Sequence, residues 1–481
     1  MSAQSDLQTK LDKLECHFTW GFVKDEMDQL HYNYKKLQDR VNFCKNQYKA
    51  TYLNILAFVS YLKGDNEGAL KFVKEAEVVT RLEYPSKEVN LLVTYGNYAW
   101  IFYKMGCFSD VESYLDKIEG ICRSLPDATQ FSTEIPVIYG EKAWALLKLG
   151  FKYYEDSQKC FQKALHGDPD NPSFNFGYAV VLYRLEEHRS PQIELELSDA
   201  VKQLKKVVKQ DSKNSEALVL LALKLQKFGK EESISLIEEA LCISPDVPHV
   251  TRYVAKYFRV EGYVEKSLDI LQKALEMTPS SAFLHHHIGL CYKRQHAELQ
   301  RNRNPKHRRY SAITMDKASN CIDHFEKAAK LQPSNILFQV SLAEIYGDIH
   351  KFHKAEMIYS DLLKAKAASD SDLQLCHFSY ALFLLYKKKN EHAAIDHLIT
   401  TYTIPCQTPK RQKAGAKLKQ IAERRLEKNK TDRAAYDILA FIHKEDGEQV
   451  TALESYRKAT VLSSHDVANL GPLLEKQLQI K

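Results

Sequence analysis

The 481-residue chain is short of glycine (17) and proline (14); together they make up roughly 6% of it, about half their usual share. A many-stranded protein needs turn formers at short intervals, so this scarcity argues against one and favours long helices. No uninterrupted apolar stretch of about 18 residues occurs, which leaves no candidate membrane span and no expected membrane partner. The opening MSAQSDLQTKLDKLECHFTW has no apolar run that could act as a secretory signal. Ten cysteines stand singly from Cys16 to Cys406, with no CxxC pair. They read as small core residues with reduced thiols, as suits a cytoplasmic protein. GxxxxGK[ST], GxGxxG and HExxH are all missing, so nucleotide hydrolysis and zinc-protease chemistry have no sequence support. His285, His286 and His287 do not form a metal triad, because consecutive helical residues point about 100° apart. Nothing resembles a nucleophile–base pair, and the expectation is of a non-enzyme without cofactor or metal.

What is present is globular, at 44% apolar and 27% charged residues. The net charge of +6, from 68 basic and 62 acidic residues, means that any anion site must come from local clustering.

The chain repeats itself. EESISLIEEALCISP is followed by EKSLDILQKALEMTP, with closing prolines Pro245 and Pro279 spaced by 34 residues. Further copies are SQKCFQKALHGDP ending near Pro169, NCIDHFEKAAKLQP ending at Pro333, and the looser NEGALKFVKEAE, HKAEMIYSDLL and TALESYRKATVL. A 34-residue helix pair with small and aromatic residues at fixed offsets and a late proline is the tetratricopeptide repeat. The fold expected is therefore all-α, a tetratricopeptide superhelix of about nine units with a central concave groove lined by each first helix. Two insertions interrupt the period, eight residues between Glu186 and Glu196 and twenty after Tyr292. The second is helix-compatible until Asn304-Pro305 and should lengthen one helix. Together with the turn-rich stretch 124–136, they divide the chain into N-terminal helices and first repeats (1–135), central repeats (136–281), an extended pair acting as a pivot (282–334) and C-terminal repeats (335–481).

Counting back from each closing proline gives the residues that face the groove. One unit supplies His249, Arg252, Lys256, Arg259 and Val260, placing three cations on one helical stripe. The next supplies Phe283, His286, Leu290, Lys293 and Arg294. Earlier units supply Trp144 and Lys148, then Ser173, Val180, Tyr183 and Arg184. Glu216 is the clear acid among them. One charged stripe is ordinarily a solvated face. Four neighbouring units that point cations into one concavity repel unless a polyanion neutralises them. Cations interleaved with aromatics suit a single nucleic-acid strand, whose phosphates pair with Lys and Arg while its bases stack. A second basic run, residues 409–433, carries ten Lys or Arg and three acids. It reads as a helix, either simply solvated or a nonspecific RNA track.

These segments resemble the interferon-induced proteins with tetratricopeptide repeats. The likeness rests on LECHFTW (14–20), NILAFVSYLKGDN (54–66), YGNYAWIFYKMG (95–106), EKAWALLKLGFKYYE (141–155), DNPSFNFGYAVVLYRL (170–185), RYVAKYFR (252–259) and FLHHHIGLCYK (283–293). It implies an antiviral protein of innate immunity that captures the 5′ end of single-stranded RNA, as a 5′-triphosphate or a cap lacking ribose methylation (cap-0). It further implies a block on translation, with the initiation machinery or family paralogues as protein partners. Carried over by position, Lys148 and Arg184 contact phosphates, and Tyr154 follows the GWALLK-like segment. Arg252, Tyr253, Lys256 and Arg259 match the RYAAKFYRR-like segment, and His286 matches the LHHQ histidine. Trp144 corresponds to the tryptophan that packs on a cap base. In the N-terminal helix over the pocket, Lys36 stands for an Arg, and Arg40 stands for a Gln near the phosphates.

This chain departs from the family's cap readers at Ser173, where they have Glu, and at Glu216, where they have Tyr. Arg40 is expected to add a cation to the phosphate site. The family's self-association motif YxxxL becomes Tyr456 and Thr460. The competing reading is an adaptor whose groove binds acidic C-terminal peptides. That function uses a position-9 Asn, and here position 9 is Val180, Leu223, Lys256 and Leu290.

Overall fold

The computed structural model describes residues 3–22, 34, 37–38, 40–42, 49–125, 135–189, 193–301, 312–333, 335–364 and 369–461. Among the described residues there is no strand, and the all-α expectation holds. The chain divides into two compact units, Met1–Gln295 and His296–Lys481.

In the first unit, α1 (Ala3–Leu11) precedes a run of helix pairs. These are α2 (Lys49–Leu62) with α3 (Asn66–Glu83), α4 (Leu92–Met105) with α5 (Phe108–Arg123), and α6 (Pro136–Leu149) with α7 (Tyr154–Gly167). After them come α8 (Pro172–Arg189) with α9 (Asp199–Gln210), α10 (Ser215–Leu225) with α11 (Lys230–Ile243), and α12 (Pro248–Glu261) with α13 (Val264–Met277). The division between units falls inside α14 (Ala282–Arg301). The second unit continues with α15 (Ala312–Leu331), α16 (Ile336–Asp348), α17 (Phe352–Lys364), α18 (Asp370–Phe383), α19 (Glu391–Thr403), α20 (Pro409–Lys428), α21 (Arg433–Glu445) and α22 (Gln449–Val461). Both insertions lengthen helices: α8 runs on to Arg189, and α14 reaches 20 residues.

The repeat register read from the sequence matches the burial. Ser157, Phe161 and Ala164 of α7 occupy the same places as Ser233, Ile237 and Ala240 of α11 and Ser267, Leu271 and Ala274 of α13, and all nine are buried. In two of these pairs the small serine also ties the second helix to its first, while Ser233 Oγ bonds the Lys230 carbonyl of its own helix and meets the Tyr257 hydroxyl of α12 at 2.8 Å. Ser157 Oγ donates to the Ala143 carbonyl at 2.7 Å, and Ser267 Oγ to that of Ala255 at 2.8 Å. A hydroxyl used this way satisfies itself while allowing close packing, where a larger side chain would hold the helices apart. Glycine does the same between pairs. A Cβ on Gly140 of α6 would lie 2.1 Å from the Phe174 ring, and one on Gly177 of α8 would lie 2.2 Å from Phe161. Contacts this close set the spacing of α6, α7 and α8, the helices that carry the first part of the site.

The CHFTW segment is a structural plug. Cys16 and His17 are buried, the His17 amide donates to Asn97 Oδ1 at 3.3 Å, and Phe18 stacks on Trp100 with centroids 5.9 Å apart. Burial lowers the His17 pKa to about 3, which keeps the ring neutral against α2 and α4. The nine described cysteines are all free thiols, and among the described residues no helix is long and apolar enough to cross a membrane.

Candidate nucleic-acid interface

Successive first helices each deliver one band of the site. Their starts are fixed locally: Pro136 and Pro248 occupy first-turn positions, where a missing N–H leaves no bond unmade. Asn171 Oδ1 accepts the amides of Ser173 and Phe174 at the head of α8, and Asn214 Oδ1 accepts that of Ala217 at the head of α10. From this scaffold α6 presents Trp144 and Lys148, α8 presents Ser173, Tyr183 and Arg184, and α10 presents Glu216. The stripe His249, Arg252, Tyr253, Lys256 and Arg259 belongs to α12, and Phe283 and His286 to α14. Tyr154 opens α7.

The centre is a phenol between two guanidinium groups. Arg184 Nη2 donates to the Tyr253 hydroxyl oxygen, and Arg252 Nη2 donates to the same oxygen at 3.3 Å. The Arg252 guanidinium lies 4.7 Å from the centre of the Tyr253 ring and 4.6 Å from that of Phe283, within cation–π range of both. Its Nε is buried without a hydrogen-bond partner. Burial alone would raise the Tyr253 pKa, but Arg184, Arg252 and Arg40 outweigh it and bring the phenol down to about 7. The complementary effect holds Arg184 above its ordinary value, Tyr253 being the main cause.

Around this centre the remaining cations crowd together. Lys256 is held below its ordinary value, first by burial, with Arg184 and Arg259 adding to it. Arg259 is lowered by burial, and Arg294 contributes further. Lys148 Nζ stands 5.1 Å from the ring centres of both Tyr52 and Trp144. His286 is 3% exposed and pushed down to about 3 by burial, then by Arg259 and Lys293, so it enters neutral. Half-buried like charges repel at an effective dielectric far below that of water, and an anion placed among them relieves that repulsion.

The structure corrects three expectations. Arg40 is not an unopposed cation: its Nη1 lies 2.8 and 3.0 Å from the two Glu216 oxygens and 3.3 Å from the Tyr52 hydroxyl. Glu216 also meets His249 Nε2 at 2.9 Å. Burial would raise this carboxyl, but Arg40 and His249 hold it well below the carboxylate range. Trp144 does not offer an open face; the indole is 2% exposed, with Phe161 edge-on at 5.5 Å and Nε1 donating to Ser173 Oγ at 3.1 Å. Ser173, a small polar substitute in sequence, is thus the indole's partner. The third is Tyr183, expected between the cations of the groove but only 2% exposed. Lys36 lies outside the described residues.

Two contributors were missed. Tyr52 of α2 reaches both Arg40 and Lys148. Lys224 of α10 stands 5.3 Å from the Tyr183 ring and is held by Glu186 at 2.9 Å. The second basic run is helical, as α20. Several of its cations have local partners: Arg424 pairs with Glu391, Arg425 Nε meets Asp432 at 2.9 Å, and Arg411 Nε donates to the Tyr402 carbonyl at 2.8 Å. Of the triple histidine, His287 stacks on Phe283 at 4.2 Å, and no metal-ligand cluster occurs among the described residues.

No family model matches the chain. It is 36% identical over 472 residues to the antiviral innate immune response effector IFIT1 of Homo sapiens, an alignment covering 96% of this chain and 98% of that one. It is 34% identical over 448 residues to interferon-induced protein with tetratricopeptide repeats 2 of Homo sapiens, covering 91% and 92%. Among solved structures, the human IFIT1 dimers with m7Gppp-AAAA and with PPP-AAAA superpose with TM-scores of 0.80 and 0.77. Each is 35% identical and covers 95% of this chain and all of the other.

Proposed function

The chain belongs to the interferon-induced proteins with tetratricopeptide repeats, and on that footing we propose that it is an antiviral protein of innate immunity. It captures the 5′ end of single-stranded RNA and withholds that RNA from translation. The observation that carries the reading is the convergence of Arg184, Arg252, Lys256 and Arg259 from α8 and α12 on one half-buried site, with Arg252 Nε unsatisfied and Lys148 of α6 facing Glu216 at its margin. Such a site suits a dense, flexible anion such as a 5′-triphosphate. In this reading Lys148 and Arg184 take the phosphates. Arg252, Lys256 and Arg259 follow the backbone of the first nucleotides, and Tyr154, Tyr253 and His286 line their path. Repeats 136–281 form the RNA-binding segment, and the protein acts in the cytoplasm by sequestration rather than catalysis. A gel-shift series on one RNA with 5′-hydroxyl, triphosphate, cap-0 and 2′-O-methylated cap ends tests it. The triphosphate form should bind with log affinity falling against log salt by about 0.7 per phosphate neutralised. Equal affinity for the 5′-hydroxyl form, or no salt dependence, removes the mechanism.

A further inference from the structure

A pocket built from guanidinium groups must balance its charge even when empty. The geometry around Tyr253 shows how. Its hydroxyl oxygen accepts from Arg184 on α8 and Arg252 on its own helix. An oxygen that takes two charge-assisted bonds from opposite cations is in the environment of an anion. The other charged and titratable groups facing it are Tyr154 from α7, Tyr183 from α8, Lys256 from α12, Arg40 from the N-terminal segment and Glu216 from α10. Arg40 and Glu216 largely cancel as a pair, and both other tyrosines are pushed up by burial and stay neutral. Arg184 and Arg252 therefore decide the state of the phenol.

We propose that Tyr253 is the resident counter-anion of the free pocket, a phenolate held between Arg184 and Arg252, and that a 5′-phosphate entering between the same guanidinium groups displaces it as the neutral phenol. The step consists of one proton taken from solvent by the phenolate oxygen as the phosphate oxygens take over the two guanidinium groups. It rests on the RNA reading for its ligand but not for its first half, which belongs to the protein alone. Tyr253 would thereby be a positioning residue: it keeps the two guanidinium groups aimed at one point before the ligand arrives.

The guanidinium groups bring the phenol down to about 7, against about 10 for free tyrosine, and that difference fixes what to measure. Ultraviolet difference spectra of the free full-length protein should show one tyrosine ionising near neutrality, absent in Tyr253→Phe and moved upward in Arg252→Gln. Saturating 5′-triphosphate RNA at mildly alkaline pH should abolish that band. Above neutrality the affinity of the wild type should fall up to about tenfold per pH unit relative to Tyr253→Phe, a comparison that cancels titration of the phosphate itself. No near-neutral tyrosine in the free protein, or a band that persists in the saturated complex, overturns the proposal. The first of these leaves the RNA reading standing. A titrating Tyr253 in a protein that binds no phosphorylated RNA overturns the RNA reading and, with it, the displacement.

Discussion

Arg40 and Glu216, 176 positions apart in the chain, face one another at 2.8 Å with side chains only 16% and 12% exposed. By the family resemblance read from the sequence, Arg40 stands where a Gln is expected and Glu216 where cap readers are expected to carry a Tyr. One departure brings a positive charge into the pocket and the other a negative one, so each supplies the other's closest opposite charge. His249 completes the arrangement from the far side of the carboxylate.

The first prediction follows from that compensation. Arg40→Gln alone should destabilise the first unit by about 3 kcal/mol, and Glu216→Tyr alone by a similar amount, because breaking a buried pair strands its partner. The double variant should lose much less than the sum, with a coupling of about 1–3 kcal/mol. Urea midpoints of the four proteins measure this directly. Strictly additive losses would show that the two side chains do not support each other.

A second prediction concerns Arg184. Its replacement by Glu puts a carboxylate beside Tyr253 and among Arg252 and Lys256. Triphosphate-RNA affinity should drop at least about a hundredfold, the loss of one charge-assisted contact compounded by repulsion. Arg184→Gln, which removes the charge but adds no carboxylate, should lose about tenfold. Helical circular dichroism should be retained in both, and unchanged RNA affinity in a folded Glu variant removes Arg184 from the phosphate site.

The repeat frame was legible because each unit repeats the same physical demand. Small and large apolar residues recur where α7, α11 and α13 pack, and Pro169, Pro245 and Pro279 follow those helices, so the closing prolines declare the register before any coordinates. Groove positions followed by counting, which is why Arg184, Arg252 and Lys256 were found. Counting gives direction but not depth. Trp144 points to the groove side of α6 yet lies beneath Lys148, against Phe161 and Phe176. Nor can counting along one repeat reveal the Arg40–Glu216 pair, since that contact depends on how the N-terminal segment meets α10.

The third prediction is a pH effect on stability. Glu141 of α6 accepts from Thr51 Oγ1 at 2.6 Å, while its Oε2 is buried without a partner. Burial raises its pKa to about 7, only partly opposed by Thr51 and Asn54. The folded protein therefore keeps a proton that the unfolded chain has released above about pH 4.3. Stability falls as pH rises from there to about 7 and then levels off. Glu141→Gln cannot ionise, so it should be more stabilising at pH 8 than at pH 5, by about 2–3 kcal/mol. Denaturant midpoints at the two pH values check it, and a gain of equal size at both would contradict the assignment.

The last prediction is that triphosphate RNA binds at least about tenfold tighter than the same RNA with a cap-0 end. The reason is not an extra cation at Arg40, whose charge Glu216 already balances. It lies at Trp144. A cap places a positively charged purine beyond the phosphates, and that ring needs an aromatic face and an acceptor for its edge. Here the indole is covered, the Lys148 ammonium stands over it, and the Ser173 hydroxyl already accepts the indole N–H. A capped end must move a cation off the ring to insert another, while a triphosphate meets Lys148 where it stands. One displaced charge-assisted contact, roughly 1.5 kcal/mol, corresponds to that tenfold difference. Trp144→Phe, which keeps the core filled, should leave triphosphate affinity within about twofold, well under that energy. Equal or reversed affinities at one salt concentration, with capped-RNA binding lost in Trp144→Phe, would instead make the protein a reader of cap-0 RNA whose indole opens on binding.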